Sequence, residues 1–270
     1  MRPILIMSAI NGARRTKADH PALPMSAADI ATESLRCAAA GASAIHLHVR
    51  DDEGRHSLDA GRYAEAIAEI RHRGAGDLIL QVTTEAVGLY RPEEQMALVR
   101  TLRPEAFSVA VRELFSDPTL AGEVAAFLAA CAGDGMAVQY ILYDAADVQR
   151  FDHLAEAGAI PLANAAQLFV LGRYGDGPPS TPAAILGFLA ARRHTPDWSV
   201  CAFGPTESAC CMAAALLGGD VRMGFENNLH LPDGQVAPDN AALVAHFAGA
   251  AQALGLRPLS LPEARARLGL

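Results

Sequence analysis

Residues 26–49 read SAADIATESLRCAAAGASAIHLHV, and this stretch decides the architecture. Ser26 with Asp29 three places on has the form of a capping box, which starts a helix that runs to Ala40 and stops at Gly41. Residues 44–49 then form an apolar run of strand length. A capped helix delivered directly into a short buried strand is the repeating unit of a parallel α/β fold.

The unit recurs along the whole chain. Residues 3–9 read as the first strand, followed by a polar loop. Downstream, Tyr63, Ile67 and Ile70 mark a helix face closed by Gly74, residues 78–82 a strand, and Pro92 the first turn of another helix. Residues 107–111 are a fourth strand, and Leu120, Val124, Phe127, Leu128 and Cys131 share a helix face. A strand over 138–143 precedes a helix over 145–157, and a weaker strand over 168–171 precedes a helix over 181–193. Residues 198–202 are strand seven, Thr206 caps a helix reaching Leu217, and 221–225 are strand eight. Asp239 caps a last helix with Leu243, Phe247, Ala251 and Leu254 on one stripe. Eight strand–helix units in about 250 residues predict an α/β chain folded as a single (β/α)8 TIM-barrel domain over residues 1–270. A doubly wound sheet would open on a glycine-rich phosphate turn. Here Asn11-Gly12-Ala13 runs into Arg14 and Arg15 with no G-x-G-x-x-G.

Composition narrows the function classes. With 51% hydrophobic and 19% charged residues the chain is no disordered segment. A net charge of −8 lacks the Lys/Arg excess that a nucleic-acid backbone requires, so no nucleic-acid partner is expected. The N-terminal apolar run is too short for a signal peptide, and the longest uncharged apolar run, residues 208–219, falls well short of the roughly 20 a membrane span needs. No membrane association is therefore expected. The five cysteines include no C-x-x-C pair, so buried free thiols in a reducing cytoplasm are the expectation.

The sharpest chemical signal is the end of the second strand, Ile45-His46-Leu47-His48-Val49-Arg50-Asp51. Alternate residues of a strand share a face, so His46 and His48 point the same way, at the end of the barrel where active sites are built. They are a metal-chelating pair or two packed histidines. A catalytic zinc takes three protein ligands, and the remaining histidines lie on helices or in loops. Glu226, closing Val221-Arg222-Met223-Gly224-Phe225-Glu226 at the eighth strand, faces the same mouth if the barrel closes. Without the barrel it is a strand-end acid.

These segments carry a family resemblance. Thr16-Lys17 with Pro21 and Pro24, residues 40–43 running into His46–Asp51, residues 212–219, and Val221 through Asn228 are similar to the β-keto acid cleavage enzyme family, which includes the 3-keto-5-aminohexanoate cleavage enzymes. The resemblance implies a TIM barrel with Zn2+ on His46, His48 and Glu226, usually a homo-oligomer (dimer or tetramer). It implies a β-keto acid and acetyl-CoA as substrates, giving acetoacetate and a new acyl-CoA. Arg222 matches the family arginine and Asn227 the second catalytic position; Thr83 and Thr84 stand where the family has hydroxyl donors for the substrate carboxylate.

The chain departs from the family in three places. Asn227 replaces an aspartate implicated in proton abstraction and cannot act as a base. Ile141 stands where strand five carries a glutamate, and Arg14 stands where many members have an acid near the substrate's variable end. Glu113, Glu85 and Asp144, each near a strand mouth, are candidate substitutes for the lost acid. Arg14 and Glu113 are also candidate substrate contacts, and Arg14 favours an anionic or polar end such as that of a dicarboxylic keto acid. Two other classes remain open: a metal-binding barrel without its base, serving as sensor or partner subunit, and a zinc hydrolase of the amidohydrolase type.

Overall fold

The computed structural model describes residues 1–172 and 179–270. Eight parallel strands close into a barrel: β1 Ile6–Ala9, β2 Ala44–Leu47, β3 Ile79–Thr83, β4 Ala106–Ala110, β5 Ala137–Leu142, β6 Ala165–Leu171, β7 Asp197–Ala202 and β8 Asp220–Met223. Each pairs with its neighbour in chain order, and β8 closes on β1 through Val221–Ile6, Arg222–Met7 and Met223–Ser8. The outer helices are α1 Ala27–Ala39, α2 Ala60–His72, α3 Pro92–Leu102, α4 Ala121–Gly133, α5 Ala145–Glu156, α6 Ala184–Ala191, α7 Glu207–Leu217 and α8 Asn240–Ala253.

Local chemistry accounts for most helix starts. Ser26 Oγ accepts the Asp29 N–H at 3.1 Å and the Asp29 carboxylate accepts the Ser26 N–H, the expected capping box. Asp239 caps α8 by accepting the Ala242 N–H at 2.8 Å. Thr206 differs from expectation. It stands at the cap position of α7, but its hydroxyl donates to the Ser180 carbonyl at 2.8 Å and makes no cap bond.

The strand ends also shift. Residues 3–9 do not form one strand, because the Leu5 N–H turns aside to Asp220 Oδ1 at 2.8 Å. Arg2–Ile4 instead pairs with Leu256–Pro258 outside the barrel. β6 begins at Ala165, ahead of the expected 168, while Val111 leaves β4 to open a short helix over Val111–Leu114. α6 is shorter than the predicted 181–193. β8 stops at Met223 because Gly224 turns the chain at φ +140°, where a Cβ would lie 2.5 Å from the Ala9 carbonyl oxygen. A C-terminal helix, α9 Leu261–Leu268, escaped the sequence reading.

The core has a large outer part, a plug inside the barrel's N-terminal end, and a smaller inner cluster of Ala110, Ile141, Leu168, Val170 and Cys201. Outward strand residues such as Ile45, Val82, Phe107, Tyr140 and Phe169 pack against the helix stripes in one continuous cluster. Fully burying each such side chain contributes about 1.5–3 kcal/mol. Inside, Leu5, Met7, Ala44, Ile79, Ala106 and Ala137 fill the N-terminal end, and Leu259 and Ala264 of the C-terminal segment stopper it. Above that plug the interior turns polar, with His46, Gln81, Gln139, Ser199 and Arg222 all buried. That polar layer faces the mouth. All five cysteines are free and buried, as expected, and no helix among the described residues is long and apolar enough to cross a membrane.

Candidate metal centre

Strand periodicity aims both imidazoles inward: His46 lies on β2 and His48 just beyond its end. The turn forced by Gly224 carries Glu226 back over the mouth beside them. The three ligand atoms form a triangle. His46 Nε2 is 3.0 Å from His48 Nε2, and Glu226 Oε2 is 3.5 Å from the first and 3.7 Å from the second. Atoms held about 2.0–2.1 Å from a tetrahedral zinc stand roughly 3.3–3.4 Å apart, so the triangle fits one such ion with little movement.

The surroundings prepare these atoms as ligands. His46 Nδ1–H donates to Gln81 Oε1 at 2.8 Å, which places the proton on Nδ1 and turns the Nε2 lone pair toward its neighbours. Asn11 holds the His48 backbone from both sides, accepting its N–H at 3.0 Å and donating to its carbonyl at 2.8 Å. Burial, with Arg222 nearby, keeps His46 neutral by lowering its pKa well below the usual imidazole range, and burial lowers His48 as well. Burial pushes the Glu226 carboxyl up, but the Arg222 guanidinium and the imidazoles outweigh this and hold it well below the ordinary carboxylate range. The result is two neutral nitrogens and one carboxylate, all at most 6% exposed. This donor set suits a divalent cation, since two imidazole nitrogens and a carboxylate oxygen converge on one point.

Arg222 crosses the floor of the mouth. Its Nη2 donates to Glu226 Oε1 at 2.9 Å and its Nη1 to Gln139 Oε1 at 3.4 Å. Above it opens a small cavity with a polar side of Thr83, Glu85, Arg222 and Glu226. Opposite stands an apolar wall of Ile141, Val170, Cys201 and Phe203, with Tyr143 at its edge. Glu85 reaches within 4.0 Å of His48 Nδ1.

The remaining sequence candidates divide. Thr83 lines the cavity, whereas Thr84 has the opposite strand parity and its hydroxyl donates to the Ser108 carbonyl at 3.0 Å. Thr84 does not line the cavity. Asn227 is fully buried behind the metal turn, where its amide donates to Glu207 Oε1 at 3.3 Å and to the Arg222 carbonyl at 3.4 Å. It does not line the cavity. Glu113 accepts the Ala86 N–H at 3.0 Å and the Gln95 amide at 3.2 Å, behind the cavity and not in it. Asp144 caps α5 and pairs with Arg112. Arg14 is exposed, and its charge acts on Glu85. Gln81, Gln139, Asn11 and Glu207 were not found in sequence, because nothing local marks a buried amide or acid as a partner of a site elsewhere in the chain.

Glu207, the first residue of α7, holds the metal turn from behind, accepting the Gly224 N–H at 2.9 Å and the Asn227 and Asn228 amides at 3.3 Å. Burial pushes its carboxyl up to about 8 although these donors oppose the shift. An acid raised in the folded state stabilises fully below its unfolded value of about 4.5, and that contribution is lost as pH rises through about 8. The slope is at most about 1.4 kcal/mol per pH unit for one proton. Urea unfolding at pH 5 and pH 8 is expected to show wild type losing more stability over this interval than Glu207→Gln; equal losses would contradict it.

A model of the family described as beta-keto acid cleavage enzyme matches residues 3–270. The chain is 29% identical to the 3-oxoadipate:acetyl-CoA acetyltransferase of Cupriavidus necator, over 100% of this chain and 95% of that protein. It is 30% identical to the 3-keto-5-aminohexanoate cleavage enzyme of Fusobacterium nucleatum subsp. nucleatum, over 100% of this chain and 99% of that one. The solved apo structure of ObcA superposes with a TM-score of 0.73 at 16% identity, over 93% of this chain. This chain spans 66% of ObcA's length, and the likeness concerns the fold.

Proposed function

The chain belongs to the beta-keto acid cleavage enzyme family, and from that premise we propose that it is a zinc-dependent enzyme converting a β-keto acid and acetyl-CoA into acetoacetate and a new acyl-CoA. The observation that carries this reading is the His46–His48–Glu226 triangle set beside Arg222 under one cavity. When bound there, zinc supplies a Lewis acid for a ketone oxygen.

The protein's own residues do the rest. Gln81 and Asn11 hold the two imidazoles in place, and Arg222 presents positive charge to the substrate carboxylate on the floor of the mouth, with the Thr83 hydroxyl at its side. The apolar wall of Ile141, Val170 and Phe203 receives the carbon chain and excludes water. The substrate's CH2, between ketone and carboxylate, must lose a proton before its carbon bonds to the acetyl carbonyl carbon and displaces the CoA thiolate. Among the described residues, Glu85 is the cavity carboxylate outside the ligand triangle, and we assign it as the acceptor. Asn227 has no such capacity, and Glu113 and Asp144 are held elsewhere. The released thiolate then adds to the original ketone carbon, the bond from that carbon to the former CH2 carbon breaks, and the proton returns to the latter, so that acetoacetate and the new acyl-CoA leave and atoms balance.

Arg14 supports a substrate with an anionic far end, in keeping with the 3-oxoadipate named in the Cupriavidus necator relative. The outer faces of α6, α7 and α8 support a homo-oligomer: they expose Leu186, Leu216, Leu217 and Leu254, and the one acid within these helices, Glu207, is buried.

Zinc-loaded protein incubated with acetyl-CoA and a panel of β-keto acids, with new acyl-CoA read by mass, tests the reading. Turnover is expected, fastest on a dicarboxylic member, with Arg14→Glu shifting preference toward amino-bearing members and Glu85→Gln slowing every member by about 10²–10⁴-fold. A zinc-loaded protein that turns over no member would instead favour a sensor or partner subunit.

A further inference from the structure

We propose that the first part of the loop joining β1 to α1, residues 10–16, is a clamp that aligns the two halves of the metal centre, with Arg15 as its positioning residue; the inference rests on the metal-centre reading above. The ligands come from opposite ends of the sequence, and β2 and β8 are not neighbours in the barrel, since β1 separates them. The loop leaving β1 therefore runs between them. Its first grip is Asn11, whose side chain bonds both the N–H and the carbonyl of His48. Next, Gly12 lies flat against Glu226: a Cβ there would stand 2.7 Å from Glu226 Cγ, at a φ of +63° that disfavours any other residue.

Arg15 completes the clamp from the far side. Its guanidinium donates to the carbonyls of Phe225 and Asn227, the two residues flanking Glu226. Two donors on one planar fork hold the backbone on either side of the ligand, which fixes the direction of its side chain. Arg50, two residues beyond His48 in sequence, in turn donates to the carbonyls of Gly12 and Arg15. Contacts thus run from the histidine segment through Arg50 and the loop to the glutamate turn. Such outer partners of metal ligands typically change metal affinity by 10–100-fold when removed.

The test compares wild type, Arg15→Ala, Arg15→Lys and, as a loop control, Lys17→Ala, whose exposed ammonium pairs with Asp29. Zinc affinity is measured by chelator competition, and the visible spectrum of the Co2+-loaded protein reports ligand geometry independently of activity or overall stability. Arg15→Ala is expected to bind zinc 10–100-fold more weakly with an altered Co2+ spectrum, and Lys17→Ala to match wild type. Arg15→Lys keeps the charge but lacks the fork, so it is expected between them; it carries the test if the alanine variant folds poorly. Wild-type affinity and spectrum in the Arg15 variants would overturn the clamp while leaving the metal centre standing. Wild type that takes up no zinc would overturn the metal reading and the clamp with it.

Discussion

Replacing His46 and His48 together by alanine is expected to yield a folded barrel that takes up no zinc and forms acyl-CoA about 10³-fold more slowly, or less. Two of three ligands are gone, and one carboxylate already shared with Arg222 cannot hold the ion alone. Losing a Lewis acid at the reacting carbonyl removes several kcal/mol of transition-state stabilisation, and each 1.4 kcal/mol is a factor of ten. The fold should survive, because the imidazoles belong to the polar layer above the apolar plug of Leu5, Met7, Ile79 and Leu259 and not to any of the three hydrophobic clusters. Metal content by mass spectrometry, acyl-CoA formation and a circular-dichroism melt check the three parts. Undiminished turnover in a metal-free double variant would sink the mechanism.

Arg222→Met is expected to produce the other large effect, and on two axes. The guanidinium pairs at 2.9 Å with Glu226, whose carboxylate is almost fully buried. Removing one partner of a buried ion pair leaves an uncompensated charge and costs about 3–5 kcal/mol. The metal-free variant should therefore unfold at much lower denaturant than metal-free wild type. Saturating zinc should narrow that gap, since a cation bound only by the folded state stabilises it and replaces the missing positive charge; at 100 times Kd the gain is about 2.7 kcal/mol. Turnover should fall about 10²–10³-fold even with zinc bound, for want of the charge that receives the substrate carboxylate. Equal denaturation midpoints for the two metal-free proteins would show that Glu226 does not depend on Arg222. Methionine suits the purpose because its volume limits cavity formation, whereas lysine would retain a charge without the fork that spans Glu226 and Gln139.

The two imidazoles and the distant carboxylate were legible for different reasons. His46 and His48 follow from a period of two on an apolar run, which is a local property of the backbone. Glu226 is legible only through the barrel, because its approach to the histidines needs the closure of β8 on β1. Family likeness left the directions of the Thr84 and Asn227 side chains open. A motif transfers a position along the chain, but the side chain's direction depends on which face of the strand it occupies and on what else is buried there. Thr84 has the outward parity, and Asn227 is drawn behind the turn by Glu207.

What residue order settled here was the rhythm of strands and capped helices, and with it a closed parallel barrel and the face on which the histidines lie. Turn chemistry and periodicity are short-range, so they can be read without coordinates. Which carboxylate and which hydroxyl line the cavity, and what grips the turn that carries Glu226, were decided only by folding. Glu85, Gln81, Arg15 and Glu207 gain their roles from neighbours tens to hundreds of positions away, as in Arg15 with Phe225. Their pairing arises when β1 seats between β2 and β8 and desolvation obliges each buried polar group to find a partner.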